Sequence, residues 1–412
     1  MECAVDADIA VVVRVAAEHG LPVTVWGGRR DVYGRNAGDG AVVIDLRHRR
    51  EIVLNPEGQT VRVGGGATVR DLVTALPADR AAVTTTNPDV GVVGAAVGGG
   101  YGPLLPRFGL VADNLLSARL VLADGSTVMA APGDDDELLW GLRGGGAGFG
   151  VVTEATFATH PLDRMLCAIV TVPLATSVVA LLTAQSLLDE EPDALAVLPL
   201  FTGGPDDVAG LNLVVHWTGG TDGGERVLRA LEGLTGAATV LNQWVSYGGS
   251  FGTDEDALWP LGHRWSMGTR TVPRLDQDVA EILTETVRAM PSPRSRLFLH
   301  DFHGAPTRIA PEATAFPQRR AHFVAAASVP VTPGDDAAWE RALAWSDSLT
   351  QALDSHALPG GYVNFLGPAD THRVSAFYGD SLARLEDLKK RLDPSWIFRQ
   401  VTGVGGLGHE RR

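Results

Sequence analysis

The chain has 412 residues, of which 45% are hydrophobic, and its 49 acidic against 34 basic side chains give a formal charge of −15. This apolar fraction excludes a chain that is disordered throughout, and the length favours two or more cores. The acidic balance argues against a nucleic-acid binder, which would carry a basic stripe. With only Cys3 and Cys167, a disulfide framework and a cysteine-rich zinc site are also excluded.

No targeting segment is evident at the N-terminus, which is acidic and leads directly into a helical pattern. The nearest candidate for a membrane span is 166–188, but Pro173 interrupts it and serine and threonine side chains are spread along it. A strand followed by an amphipathic helix fits this stretch better. We therefore expect a cytoplasmic protein that does not associate with membranes.

The first 160 residues form short segments separated by glycine-rich loops. They predict helices at 5–19, 69–75 and 134–142, and strands at 21–26, 41–46, 60–63, 115–122, 127–130 and 151–157. After Pro161 the segments lengthen. Strands are predicted at 168–172, 211–217, 296–303 and 322–329, and helices at 174–190, 223–236, 275–290, 336–355 and 380–392. This change predicts an α+β fold in which an antiparallel sheet carries helices on one face.

Three glycine clusters, at 27–28, 91–102 and 144–150, stand out in the N-terminal part. Glycines at strand ends leave backbone amides exposed and allow a pyrophosphate to approach closely. The alternative is a loop-rich domain with tight corners, and the glycine count alone does not decide between the two. Neither a Walker A motif nor a Rossmann G-x-G-x-x-G in a strand–helix context is present.

The order of the motifs is more specific than any one of them. The strings V-T-V-W-G-G-R-R-D, V-R-V-G-G-G-A-T, P-D-V-G-V-V-G-A-A-V-G-G-G-Y-G, R-F-G-L-V-A-D-N-L and L-L-W-G-L-R-G-G-G follow one another closely, and A-T-A-F-P, Y-V-N-F and R-L-D-P-S-W-I-F-R come later. Together they resemble the berberine-bridge-enzyme-like branch of the vanillyl-alcohol-oxidase, PCMH-type FAD-binding oxidoreductases.

The resemblance implies an FAD-binding domain made from 1–160 and 366–412, with a substrate-binding domain at 161–365 between them. Residues 27–31 would cradle the pyrophosphate, 88–94 and 99–102 would line the flavin, and 150–152 would hold the adenosine half. The full set implied for FAD binding is Trp26, Gly27, Gly28, Arg29, Arg30, Asp31, Asn87, Pro88, Asp89, Val90, Gly91, Gly94, Gly99, Gly100, Tyr101, Gly102, Asp113, Asn114, Gly150, Val151, Val152 and Asn364.

Several positions depart from the family pattern. Arg30 stands where a histidine normally bonds to the flavin, and Asn87 stands where a cysteine often does. We therefore expect FAD to be held non-covalently. Phe365 replaces a tyrosine that is a base candidate, and 400–403 has lost most of an Asn- and Gln-rich motif. The family's extra strand ahead of the helix at 5–19 is missing, which is expected to weaken the adenine pocket.

Two arginines in the first glycine loop have two interpretations. Arg29 and Arg30 either pair with the pyrophosphate, which would partly replace the lost covalent bond, or form a solvated basic turn. Asp31 is expected to pair with one of them.

Candidate catalytic side chains lie on the strand R-L-F-L-H-D-F-H. Alternation places Asp301 and His303 on one face and His300 on the other, and one of these faces should look at the flavin. The alternative for each histidine, and for His216, is a ring satisfied at a strand end. The 11 histidines show no metal-binding spacing, so no metal site is predicted.

Aromatic residues supply further candidates. Tyr362 shares a predicted strand face with Asn364 and is either a base, a hydrogen-bond donor or an ordinary sheet aromatic. Tryptophan and phenylalanine side chains in 242–267 form either an apolar wall for a bulky substrate or part of the core; they are Trp244, Phe251, Trp259 and Trp265.

Two functions follow from these features. The first is an FAD-dependent oxidoreductase that acts on a bulky secondary-metabolite-type small molecule, with ring closure as one outcome. The second is a redox-neutral cyclase or isomerase, in which a shaped, dry pocket orders a flexible substrate. The fold-level analogy places the oxidoreductase first. The sequence leaves the substrate, the electron acceptor and the oligomeric state open.

Overall fold

A computed structural model describes residues 1–36, 38, 40–203, 210–251 and 259–399. Its helices are α1 (Asp6–Glu18), α2 (Val69–Ala75), α3 (Val92–Val97), α4 (Leu105–Phe108), α5 (Asp136–Leu142), α6 (Ser177–Glu190), α7 (Thr221–Glu232), α8 (Gln277–Arg288), α9 (Asp336–Leu353), α10 (Val374–Tyr378) and α11 (Ser381–Leu392). Its strands are β1 (Val23–Trp26), β2 (Val42–Asp45), β3 (Ile52–Leu54), β4 (Thr60–Gly64), β5 (Arg80–Ala81), β6 (Leu115–Val121), β7 (Thr127–Ala130), β8 (Val151–Ala158), β9 (His160–Pro161), β10 (Met165–Pro173), β11 (Leu195–Thr202), β12 (Gly210–Trp217), β13 (Ala238–Val245), β14 (Arg264–Val272), β15 (Arg296–Phe302) and β16 (His322–Val331).

The larger sheet has seven strands in the order β13-β10-β12-β11-β15-β16-β14, and every neighbouring pair is antiparallel. Helices α6, α7, α8 and α9 cover one face, where their apolar stripes and the inward residues of the strands form one core. The predicted antiparallel sheet covered by helices is therefore confirmed.

The second face of this sheet is covered unevenly. All ten residues of β16 are buried, because Phe323 packs toward the helices while Val324 packs against Tyr101 of the N-terminal part. In β12, by contrast, burial alternates and every second side chain is only partly covered. On this second face, β12 and parts of β10 and β11 are therefore partly exposed, whereas β16 is covered.

The N-terminal part contains a five-stranded antiparallel sheet in the order β3-β4-β8-β6-β7. Strands β1 and β2 pair in parallel, and β5 pairs with β9. The C-terminal segment packs onto the same part of the chain, since Ile397 and Phe398 join α1 in one apolar cluster. The backbone amide of Val23 also donates to the carbonyl of Ile397 at 2.7 Å.

Most of the predicted elements are present, and two corrections concern the C-terminal half. Strands β11, β13 and β14 were not predicted; Pro199 within β11 obscures its strand pattern. The segment from Tyr362 is not a strand: residues Val363–Phe365 form a 3₁₀ turn, so Tyr362 and Asn364 do not share a face by alternation. The stretch 166–188 forms β10 and α6 as expected, and the described residues contain no helix long and apolar enough to cross a membrane.

A buried ion pair secures the C-terminal segment. The Lys389 ammonium, 2% exposed, donates to the Asp393 carboxylate, to the Gly148 carbonyl at 2.6 Å and to the Phe398 carbonyl at 2.9 Å. Burial lowers the pKa of Lys389, although Asp393 opposes that shift. The Asp393 oxygens also accept the amides of Ile397 and Phe398.

Asp393→Asn leaves the Lys389 charge buried without its counter-charge, so we expect the free energy of unfolding at pH 7 to fall by about 3–5 kcal/mol. Chemical denaturation measures this change. The control Asp387→Asn removes the partner of Lys390, an exposed pair, and should change stability by less than about 1 kcal/mol. Equal effects of the two substitutions would contradict a structural role for the buried pair.

Candidate functional site

Glycine backbones approach one another closely at the first loop. A Cβ on Gly28 would lie 2.2 Å from the amide nitrogen of Gly91, so no larger residue fits there. Within the described part of the chain, the amides of Gly27, Gly28 and Arg29 have no hydrogen-bond acceptor. Arg29 has φ 55°, in the left-handed region. Successive unpaired amides around such a residue form an anion-binding concavity, and this loop therefore fits a pyrophosphate.

Arg30 connects three segments rather than projecting into solvent. Its guanidinium donates to the Asp89 carboxylate at 2.8 Å and to the Trp259 carbonyl at 2.9 Å, and its side chain is 13% exposed. Arg70 binds the other Asp89 oxygen at 3.1 Å. The solvated-turn interpretation of Arg30 is therefore wrong.

Asp31 does not pair with either arginine of the first loop. Its carboxylate binds Arg35 and accepts the backbone amide of Tyr33 at 3.0 Å. Arg35 in turn donates to the carbonyls of Asn364 and Leu366, both at 3.0 Å. The expected pairing was wrong because the turn brings Arg35 back onto Asp31. The result is a connection from the first loop to the Tyr362 turn.

Asn87 and Asp89 shape the second glycine loop. The side-chain oxygen of Asn87 accepts the amide of Asp89 at 2.8 Å, which orders the turn ahead of α3. Pro88 and Val90 contribute their carbonyls, which accept the amides of Arg70 and Val69. A Cβ on Gly94 would meet nothing within 4 Å, so this glycine is not required by packing.

The third loop is joined to the Tyr362 turn. Gly99 and Gly100 have φ 115° and 83°, which favour glycine. The Gly100 amide donates to the Tyr362 hydroxyl at 3.2 Å, and the Asn364 side-chain amide donates to the same oxygen at 2.8 Å and to the Ala95 carbonyl at 3.3 Å. These contacts bring Tyr362 and Asn364 together with the glycine loop.

Tyr362 is placed as a donor and not as a base. Its oxygen already accepts two hydrogen bonds, which leaves its own proton available to donate. Burial raises the pKa of Tyr362 to about 12, so the phenolate form is unfavourable at neutral pH. Of the three alternatives from the sequence, the donor fits this geometry.

Tyr101 and His322 form a buried pair that the sequence analysis missed. The Tyr101 hydroxyl lies 2.8 Å from Nε2 of His322, and Nδ1 of His322 lies 2.6 Å from the Arg320 carbonyl. Because a carbonyl only accepts, Nδ1 carries the proton and Nε2 accepts from Tyr101. Burial lowers the pKa of His322 to about 4, so the ring is neutral. No motif surrounds His322, and only the sheet register brings it to Tyr101.

Strand β15 presents its polar residues to two different faces, as alternation predicted. His300 faces Tyr101 and Phe365, at ring-centroid distances of 6.0 and 5.8 Å. Asp301 instead accepts the Val197 amide at 3.0 Å and lies 3.5 Å from Nδ1 of His303. Burial raises the pKa of Asp301, and Nε2 of His303 donates to the Leu195 carbonyl. Asp301 and His303 thus connect β11 to β15 where the backbone pairing between these two strands has ended. His300 lies on the opposite face, toward the glycine loop.

A small crevice separates the glycine loop from the sheet. Its walls come from both halves of the chain: Thr86, Tyr101, Gly102 and Pro103 on one side, and Ala196, Leu198, His216, His300 and Asp301 on the other. Burial lowers the pKa of both His216 and His300 to about 4, so both rings are neutral at pH 7. Among the described residues, neither ring has a hydrogen-bond partner, and no group of side chains there is arranged to hold a metal ion.

Other predicted cofactor residues are engaged within the protein. Asp113 forms a buried two-bond ion pair with Arg319, at 3.0 and 2.8 Å. The Asn114 side chain donates to the carbonyls of Phe108 and Leu110. The side chains of both residues therefore stabilise the loop that carries them. Val151 and Val152 belong to β8 and pair with β6, and Gly150 lies against the Val121 carbonyl.

The predicted aromatic cluster in 242–267 divides into separate groups. Trp259 and Trp265 lie 5.4 Å apart, and Trp259 packs edge-on against Phe298 of the sheet. Phe251 packs on Tyr247 in the N-terminal core, and Trp244 borders the helix-covered core. Residues 252–258 and 400–403 lie outside the described residues.

Comparison with known proteins agrees with this arrangement. Residues 1–131 match a family model described as "FAD binding domain", and residues 361–405 match one described as "Berberine and berberine like". The (R)-6-hydroxynicotine oxidase of Paenarthrobacter nicotinovorans is 37% identical over 238 residues, which cover 56% of this chain and 52% of that protein. The solved structure of 6-hydroxy-D-nicotine oxidase from Arthrobacter nicotinovorans superposes with a TM-score of 0.85 at 27% identity, covering 98% of this chain and 91% of that one.

A relative that aligns over nearly the whole chain identifies the family. The FAD-linked oxidoreductase aurO of Gibberella zeae is 30% identical over 410 residues, which cover 96% of this chain and 78% of that protein. The resemblance and the α+β fold inferred from the sequence are thereby confirmed. The chain belongs to the berberine-bridge-enzyme-like family of FAD-linked oxidoreductases and is an FAD-dependent oxidoreductase.

Proposed function

We propose that this protein oxidises an uncharged, largely apolar small molecule on the face of the sheet that lies toward the glycine loop, with FAD held without a covalent bond. The observation that carries this proposal is His300, a neutral imidazole without a partner among the described residues, which borders the crevice beside Tyr101. When bound, FAD supplies the two-electron acceptor that the protein's own side chains lack.

Non-covalent binding is supported by what occupies the two attachment positions. The guanidinium of Arg30 and the amide of Asn87 are not nucleophiles. Both are engaged with Asp89, which joins the first and second glycine loops by an ion pair and a turn. The unpaired amides of Gly27, Gly28 and Arg29 would hold the pyrophosphate, and Gly99 to Gly102 with Asn364 would flank the flavin.

His300 is the side chain best suited to accept a proton from the substrate. Phe365 cannot accept one, and Tyr362 is arranged to donate. A neutral imidazole has one acceptor nitrogen, and no described residue of the site donates a hydrogen bond to that nitrogen of His300. We therefore assign the base to His300 in place of Asp301 and His303, whose polar atoms bind β11.

The substrate class follows from the partly buried face of the sheet that continues from the crevice. Leu198 lies in register with Val214, which lies in register with Ile169, and all three are only partly buried on one face. Of the described residues that line the crevice, only Asp301 has a carboxyl group, and it accepts the Val197 amide. Such a surface favours an apolar molecule with neutral polar groups over a charged one.

Oxidation has more support than the redox-neutral cyclisation considered from the sequence. A related sequence and a solved structure are both named for the oxidation of 6-hydroxynicotine. His300 also supplies a proton acceptor, which Phe365 cannot be and which oxidation of the substrate requires.

The first prediction concerns flavin attachment. Acid precipitation of the purified protein should release all flavin absorbance into the supernatant, because neither Arg30 nor Asn87 forms a bond to the ring. The spectra of pellet and supernatant measure this. Yellow colour that stays with the denatured pellet would contradict non-covalent binding.

The second prediction compares two histidines of one strand. With an uncharged aromatic alcohol or amine that bleaches the flavin anaerobically, His300→Asn should slow the bleaching by roughly 10²–10⁴-fold, since a positioned base is lost. Stopped-flow absorbance measures the rate, and the product should be two hydrogens lighter. His303→Asn, on the opposite face, is the matched control and should stay near the wild-type rate; similar losses in both variants would reject the assignment.

The third prediction is a pH profile. A base with its pKa lowered to about 4 stays neutral, and therefore competent, from pH 8 down to about pH 5. The single-turnover rate should be level over that range and fall only toward pH 4 as His300 takes up a proton. A midpoint near pH 6.5, the value of an unperturbed histidine, would show that the base is a solvated ring.

A further inference from the structure

Three consecutive carbonyl groups, those of residues 364–366, face the segment that follows the first glycine loop. The Arg35 guanidinium donates to the first and the third of them, both at 3.0 Å. The Tyr33 hydroxyl lies 3.4 Å from the second, the Phe365 carbonyl, and 3.2 Å from the Met267 carbonyl of β14. Two side chains of one short segment therefore hold both this turn and a strand of the seven-stranded sheet.

These carbonyls lie at the end of a 3₁₀ turn, where no further turn of helix supplies donors. Two backbone bonds, of 2.8 and 3.1 Å, close the turn. Leu366 is buried, and within the described part of the chain no backbone amide bonds any of the three carbonyls. The position of the turn thus depends on donors from outside it, and Arg35 supplies two of them.

Asp31 holds Arg35 in its place. The Asp31 carboxylate accepts Nε of Arg35 at 2.7 Å and the backbone amides of Tyr33 and Arg35, both at 3.0 Å. Both side chains of this ion pair are partly buried. Asp31 comes two residues after Arg29, whose unpaired amide belongs to the proposed pyrophosphate cradle. A ligand that orders the cradle therefore also restrains the segment that reaches the turn.

The turn carries one wall of the proposed active site. The Phe365 ring lies against His300, with 5.8 Å between the ring centroids, and edge-on to Phe298 at 6.1 Å. Because Tyr33 and Arg35 bond the carbonyls of Phe365 and its two neighbours, a shift of their segment moves the ring that packs on His300. Direct contacts thus lead from the first glycine loop to His300.

We propose that Arg35 is a positioning residue, which couples the binding of a phosphate group at the first glycine loop to the placement of Phe365 against His300. The wall beside His300 is then ordered when the pyrophosphate of FAD occupies that loop, and by reciprocity a turn held in place strengthens FAD binding. This inference rests on the proposed function, because it takes the first loop as the pyrophosphate site and His300 as the base.

Hydrogen exchange of the turn tests the coupling on the full-length protein, with and without saturating FAD. In the wild type, FAD should slow the exchange of the amides of 363–366 by about 10-fold, within the usual range of coupling between two sites. In Arg35→Ala, FAD should leave this exchange unchanged, although flavin absorbance shows that FAD is bound. Mass spectrometry of a peptide that contains the turn measures both rates.

Two milder variants keep the test decisive if Arg35→Ala does not fold. Arg35→Lys should recover part of the FAD effect, since an ammonium pairs with Asp31 but lacks the planar fork that reaches two carbonyls. Tyr33→Phe keeps the ring against the Gly367 backbone and removes only the hydroxyl. It should give an FAD effect between those of the wild type and Arg35→Ala.

Arg373→Ala is the matched control. Arg373 forms an ion pair of similar exposure with Asp370 at 3.1 Å and donates to the Gly360 carbonyl, and none of these bonds reaches the first glycine loop. This variant should keep the FAD effect. With FAD bound, no slowing in the wild type, full slowing in Arg35→Ala and Tyr33→Phe, or an equal loss in Arg373→Ala would each overturn the inference alone. Protein that binds no FAD would overturn the proposed cofactor site and the inference together.

Discussion

The packing of Tyr101 is the contact on which the rest of the site depends. Its ring, at the end of the third glycine loop, is 3% exposed and is surrounded by five aromatic rings of the sheet and its loops, namely His300, Phe302, Phe316, His322 and Tyr362. This cluster packs the N-terminal part of the chain against one end of the seven-stranded sheet. Because β16 is covered there while β12 and the later residues of β10 and β11 are only partly covered, the same contact leaves the crevice and its partly exposed apolar face.

Polar contacts around this aromatic cluster determine which atom donates in the hydrogen bonds of Tyr101 and Tyr362. The Arg320 carbonyl sets the tautomer of His322, which makes Tyr101 donate to it, and the Gly100 and Asn364 amides leave the Tyr362 proton free. The Asp113–Arg319 pair, almost fully buried, connects the loop after α4 to the segment ahead of β16. Two neighbouring tyrosines, 4.5 Å apart between ring centroids, therefore differ in hydrogen-bond polarity although their chemistry is identical.

The fold was largely predictable, because strong periodicities are local. The helix at 69–75 and the strand at 127–130 were predicted with the bounds that the structure has. Strand β11 was missed since a proline stands within it, and the 3₁₀ turn after Tyr362 was missed since hydrogen bonds to a distant glycine loop decide it. The site was less predictable. Alternation placed His300 and Asp301 on opposite faces of the strand, but which face lies toward the glycine loop depends on how the two halves of the chain pack.

The contacts of Arg30 and Asn87 form one connected set. Arg30 places a charge at the first glycine loop, which we propose binds a pyrophosphate, and a free guanidinium there would compete with the backbone amides for the anion. The Asp89 carboxylate pairs with Arg30 and with Arg70, while the Asp89 backbone amide donates to the side-chain oxygen of Asn87, so one residue connects both loops. Each ion pair is partly exposed and contributes little alone. Rigid loops that present backbone amides bind an anion without a covalent bond, provided that no side chain fills the cradle, and Gly28 against Gly91 ensures that none does.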